Sequence, residues 1–151
     1  MKPHWKTELP LWILILGMFV AAAWAWPSAP KTMPVHWGLN GQPNGYGDRF
    51  EGLLLMPLMA LVIYLVMLFV PRLDPGRLNY DRFAGPYYAI RASAIALLAL
   101  LYTLVLLAAR GVPVDMSRFV ALAVGAMLFV LGNVLGKVRP NWFVGVRTPW
   151  T

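Results

Sequence analysis

Three observations predict an all-α integral membrane protein, a bundle of four transmembrane helices with an ordered loop after the first. Hydrophobic residues make up 60% of the 151-residue chain and charged residues only 13%, and the apolar residues are bunched rather than alternating. Four runs are long enough, or nearly so, to cross a hydrocarbon core of roughly 30 Å as helices, which takes about 20 residues. Tryptophans and cations cluster at the ends of these runs. Lipid offers no partner for exposed backbone N–H and C=O groups, and unbroken apolar runs do not fit the alternation of a membrane barrel, so helices are the expected solution.

The first run is Leu9 to Trp26. Lys2 and Lys6 precede it and Ala23-Trp24-Ala25 imitates a small-x-small cleavage site, but the run is expected to stay as the first span. A polar segment, Pro27 to Gly52, separates it from the second run, Leu53 to Val70. Asn40-Gly41 and Pro43-Asn44-Gly45 are strong turn signals, because Gly and Asn tolerate positive φ and Pro presets the first turn position. With Val35, Trp37 and Tyr46 on the flanks, a short hairpin over the bundle mouth is predicted. The next connection, Pro71 to Arg91, carries helix-breaking prolines and Gly76 and is read as irregular or as a short surface helix, with Tyr87 and Tyr88 at the interface. The third run is Ala92 to Ala109; a tight turn around Gly111 and Pro113 then makes the fourth, Phe119 to Leu135, its antiparallel neighbour.

Cations near span ends are retained on the cytoplasmic side. With the N-terminus inside, the inner face holds Lys2, Lys6, Arg72, Arg77, Arg82, Arg91, Lys137, Arg139 and Arg147, against Lys31, Arg49, Arg110 and Arg118 outside. Both termini are therefore expected in the cytoplasm, with Trp5 and Trp12 at the inner interface and Trp24 and Trp26 at the outer one. The net charge of +7 then reads as attraction to anionic lipid. No basic stripe with interleaved aromatics appears, so nucleic acid is not an expected partner. The absence of cysteine excludes disulfides, thiolate metal sites and cysteine nucleophiles.

The segments MPVHWGLNGQPNGYG (33–47), PRLDPGRLNYDRF (71–83) and GNVLGKVRPNWFVGVRTPWT (132–151) together resemble the SdpI-type immunity protein family. The likeness covers nearly the whole chain. It implies an N-terminal two-span membrane domain over 1–88, with an extracytoplasmic loop 27–52, and an SdpI-like domain over 89–151 with two spans and a cytoplasmic tail. It also implies a multi-pass protein of the bacterial plasma membrane that protects against a peptide toxin and engages in signal transduction by holding a cytoplasmic regulator at the membrane. Members of the founding type continue beyond the TPWT motif into two further spans. A sequence ending at Thr151 is either a shortened relative or a piece of a longer chain. A shortened form would leave surfaces for lipid, a second copy or the subunits of a larger complex.

Candidate binding residues follow. In the outer loop they are Pro34, His36, Trp37, Asn40 and Asn44, facing a peptide or amphiphile. His36 with Asp48 and Glu51 supplies ligand-type side chains, but at no metal-binding spacing; a hydrogen bond of His36 within its own loop is the expectation, and neither metal nor cofactor is assigned. Arg91 is expected to snorkel to the headgroups or to pair with Asp81 or Asp74. No acidic residue falls inside the four runs, which argues against a proton or cation relay. Gly132 and Gly136, at GxxxG spacing with Asn133 beside them, predict close helix packing within the monomer, with self-association as the alternative. In the tail, Lys137, Arg139, Asn141, Arg147, Thr148 and Trp150 form either a lipid anchor or a polar site for a cytoplasmic partner. No acid or histidine stands there to activate a hydroxyl, so no catalytic residue is assigned and no enzyme is expected.

Overall fold

In the computed structural model, which describes residues 4–145, four helices long and apolar enough to cross a membrane dominate the chain. They are α1 (Trp5–Ala25), α3 (Leu55–Leu73), α4 (Ala84–Ala109) and α5 (Met116–Leu135). Between α1 and α3 lie an antiparallel hairpin of β1 (Met33–Trp37) and β2 (Pro43–Gly47) and a single-turn helix α2 (Arg49–Leu53); a 3₁₀ helix, Arg77–Phe83, leads into α4.

Each boundary has a local cause. The helix α2 starts where the Asp48 carboxylate accepts the Glu51 N–H at 2.9 Å, and α5 where Asp115 accepts from Arg118 at 3.0 Å. At the end of α4, Gly111 takes φ +77° while Val112 N–H reaches Leu107 O and Gly111 N–H reaches Ala108 O, a Schellman closure that turns the chain sharply into α5. Proline does not break α3 at the predicted place: Pro71 sits in its last turn. Having no N–H, Pro71 leaves the Met67 carbonyl free, and the Tyr87 hydroxyl donates to that oxygen at 2.5 Å. Tyr87 is accordingly buried, not interfacial.

The core is a three-helix unit of α1, α3 and α4. Buried positions on α1 are Glu8, Leu11, Ile15, Met18, Ala22 and Ala25, spaced by threes and fours along one stripe. Pro57, Ala60, Tyr64 and Pro71 continue the same spacing on α3, as do Tyr87, Arg91, Ile95, Tyr102 and Val105 on α4. Trp12 lies part-buried with its ring edge-on to Tyr64, centroids 5.0 Å apart. The buried share of each apolar window falls from 33% in α1 to 6% in α5, so α5 leans on the outside of α4. The close packing within the monomer expected at Gly132 and Gly136 is not formed among the described residues, where a Cβ added to either would meet nothing within 4 Å.

Strand direction and helix order put the hairpin, the α4–α5 turn and the start of α3 at one end of the bundle. The 3₁₀ helix and the tail after α5 lie at the other. Ser117 Oγ donates to Leu39 O at 2.9 Å at the first end, and Asn79 Nδ2 donates to Pro140 O at 2.8 Å at the second. Lys2, Arg147, Thr148 and Trp150 lie outside the described residues.

Candidate functional site

Three polar constellations stand along the bundle. At the hairpin end, Pro34 pairs with Tyr46, His36 with Gly45 and Trp37 with Pro43. A side chain at Gly45 would run into His36 Cβ at 2.8 Å, so the strands can approach only because residue 45 is glycine. Gly41 takes φ +74° at the tip, where Asn40 Oδ1 accepts the Gln42 N–H at 3.1 Å. His36 Nδ1 and Asn44 Oδ1 are 2.5 Å apart across the strands. Asp48 is spent on its helix cap, and among the described residues no three His, Cys, Asp or Glu side chains gather to hold a metal ion. Met33 anchors the hairpin, fully buried in the cluster that joins α1, α3 and α4.

The second constellation lies inside the bundle and was missed by the sequence reading. Arg91 is 1% exposed, and its Nη2 donates to Glu8 Oε1 at 2.5 Å. The Tyr64 hydroxyl donates to the other oxygen, Glu8 Oε2, at 2.9 Å. One carboxylate from α1 thus holds a cation from α4 and a phenol from α3. The guanidinium carbon lies 5.4 Å from the Tyr64 ring centre and 5.9 Å from that of Tyr88. Its Nε and Nη1 are buried without a hydrogen-bond partner among the described residues.

This arrangement corrects two expectations. Arg91 neither snorkels nor pairs with Asp81 or Asp74, because α4 begins at Ala84 rather than near Ala92 and places residue 91 two turns inside. The bundle does hold an acid, because α1 begins at Trp5 and takes Glu8 into its first turn, where the helix dipole also favours a carboxylate. The available signal was the stripe itself. Extended one step toward the N-terminus, the spacing of Leu11, Ile15 and Met18 lands on Glu8. Removing either charge would strand the other in a low-dielectric interior, so the pair acts as a clamp between α1 and α4.

The third constellation is the tail dock. Asp74 is 1% exposed, and its carboxylate accepts from Gly76 N–H at 2.6 Å, Tyr80 Oη–H at 2.8 Å and Trp142 N–H at 2.8 Å. Asn141 shapes the tail around itself: its Oδ1 accepts from Phe143 and Val144 N–H, and its Nδ2 donates to Arg139 O and Val144 O. Below them Tyr80, Phe83 and Tyr87 form an aromatic cluster on which Val138 and Val144 pack. Arg139 and Lys137 stay exposed. Asn133 is not part of this site; its amide donates to Phe129 O at 2.7 Å in its own helix rather than across a helix contact. Arg147, Thr148 and Trp150, the remaining tail candidates, fall beyond the described residues.

A family model described as a domain of unknown function (DUF1648) matches residues 13–61, the stretch that contains all five hairpin candidates. Over 141 residues the chain is 23% identical to "Immunity protein SdpI" of Bacillus subtilis (strain 168), covering 92% of this chain. The match takes in 64% of that protein, so the chain spans less than two thirds of its relative's length. No solved structure matches. Both matches are consistent with an SdpI-type family, the one that the chain's own motifs resemble.

Proposed function

We propose that this chain is a binding and signalling protein of the bacterial plasma membrane, of the toxin-immunity kind. In this reading the hairpin faces outward and meets a peptide toxin or amphiphile through Pro34, His36, Trp37, Asn40 and Asn44. Both termini lie in the cytoplasm, where Asn141 and its neighbours meet a regulator. The observation that carries the reading is that both ends are anchored in the same helices. Met33 roots the hairpin in the α1–α3–α4 cluster, and Asp74, directly after α3, holds the tail. A ligand that shifts the hairpin has a packed path to the tail through α1, α3 and α4, and the Glu8–Arg91–Tyr64 clamp lies on it. Similarity to a protein named for immunity supports the toxin partner, and a helical bundle suits protection without catalysis.

The test is survival of a toxin-sensitive bacterium expressing the chain, challenged with candidate membrane-active peptides. The intact chain is expected to raise survival, and the Pro34→Ala/His36→Ala/Trp37→Ala variant to lose the gain at unchanged membrane abundance. Equal killing of all strains by every peptide would contradict the reading.

One observation favours a second role, as an accessory subunit: the exposed face of α5 with Gly125, Gly132 and Gly136 open to close approach by another helix. Purification in mild detergent separates the two, since a subunit co-migrates stoichiometrically with other polypeptides.

A further inference from the structure

At the tail end, a groove of about 760 Å³ runs between the segment after α3 and the chain after α5. That volume is in the range of small-molecule sites. Its walls are mixed: Leu135, Val138, Val144 and Trp142 are apolar, while Asn79 and Arg139 are polar. The Arg139 guanidinium makes no ion pair or hydrogen bond with any described residue.

Charge around the groove is predominantly positive. Arg72, Arg77, Arg82, Lys137 and Arg139 are exposed, whereas the exposed acid of these segments is Asp81. Asp74 beside the groove is buried and accepts from Gly76, Tyr80 and Trp142. Large apolar side chains are exposed among these cations, Leu78 at 83% and Trp142 at 69%, with Leu73 and Phe143 beside them. Cations interleaved with exposed apolar and aromatic groups at the end of a span suit an anionic membrane interface. The groove also opens onto α5: Leu135 and Gly136 line it, and Gly136 and Gly132 leave a bare strip along the helix. A ligand seated here can lay a hydrocarbon chain on α5 while an anionic head meets Arg139.

We infer that this groove is a binding site for an anionic phospholipid, its phosphate held by Arg139 and its acyl chain laid along the end of α5. Arg suits the phosphate because its planar fork donates two parallel N–H bonds. The inference does not depend on toxin immunity; it needs only the helices to span the membrane.

Native mass spectrometry of the full chain in mild detergent tests it, with phosphatidylglycerol, phosphatidylcholine or inorganic phosphate added in separate arms. One phosphatidylglycerol per chain should be retained in preference to phosphatidylcholine. A cation that only attracts anionic lipid in general is worth about fivefold in affinity. Arg139→Gln, which removes a charge-assisted hydrogen bond, should therefore weaken phosphatidylglycerol retention by more than about tenfold, and Arg82→Gln, outside the groove, by no more than about fivefold. Both side chains are exposed, so unfolding midpoints in phosphatidylcholine should not move. No preference for the anionic lipid, or equal losses in the two variants, would overturn the inference. Displacement of the lipid by equimolar inorganic phosphate would overturn it in favour of a soluble phosphate site.

Discussion

Arg91 carries more unmet hydrogen-bonding capacity than any other buried side chain described, with two of its three nitrogens, Nε and Nη1, unpartnered and the third, Nη2, held by Glu8. Its charge is tolerable only because a carboxylate and two aromatic faces surround it. Losing one member of a buried pair costs about 3–5 kcal/mol, whereas replacing both with apolar side chains of similar volume is often neutral or stabilising. Arg91→Ala and Glu8→Ala are each expected to destabilise by about that amount in detergent unfolding, and Glu8→Leu/Arg91→Met to recover most of the loss. The double variant separates structure from function: if the clamp relays binding, it folds but fails to protect. Tyr64→Phe removes one hydrogen bond to a charged group and should cost about 1.5–3 kcal/mol. A cost near zero in all the single variants would mean that the pair is not formed in the membrane.

The tail is held by a different device. The short segment after α5 leaves Trp142 and Phe143 exposed and packs only the part-buried Val138 and Val144 on the aromatic cluster, so its position depends on Asp74, whose carboxylate gathers donors from the 3₁₀ entry and from Trp142. Asp74→Ala should release the tail while leaving α1, α3 and α4 packed. Limited trypsinolysis is expected to cut after Lys137 faster in the variant, the bond after Arg139 being closed to trypsin by Pro140, with thermal unfolding of the helical core little changed. Unaltered cleavage would show that Val138 and Val144 hold the tail without the carboxylate. The sequence made the four helices legible, because length and apolarity alone decide which segments cross lipid, and the hairpin legible through Asn40-Gly41 and Pro43-Asn44-Gly45. It did not show where helices begin. Apolar runs start at the first uncharged residue, but a helix can start earlier and take a charge inward. Glu8 and Arg91 were both misplaced for that reason. The role of Asp74 was not legible because donors reach it from 2, 6 and 68 residues away, a convergence that no local pattern encodes.

Taken together, the chain is a three-helix core with α5 on its flank, a hairpin at one end and a docked tail at the other. The division near residue 88 implied by family resemblance is crossed by the clamp, since Glu8 and Tyr64 lie before it and Arg91 after it. Two halves that share a buried ion pair are expected to unfold together, in one transition rather than two. The account stands on the hairpin and the tail facing opposite sides of a membrane. Because the chain has no cysteine, single thiols report that without background. Asn44→Cys and Lys137→Cys, each treated in intact spheroplasts with a membrane-impermeant maleimide, test it directly. Labelling of residue 44 at once and of residue 137 only after permeabilisation is the predicted result; labelling of both, or of neither, before permeabilisation would contradict the account.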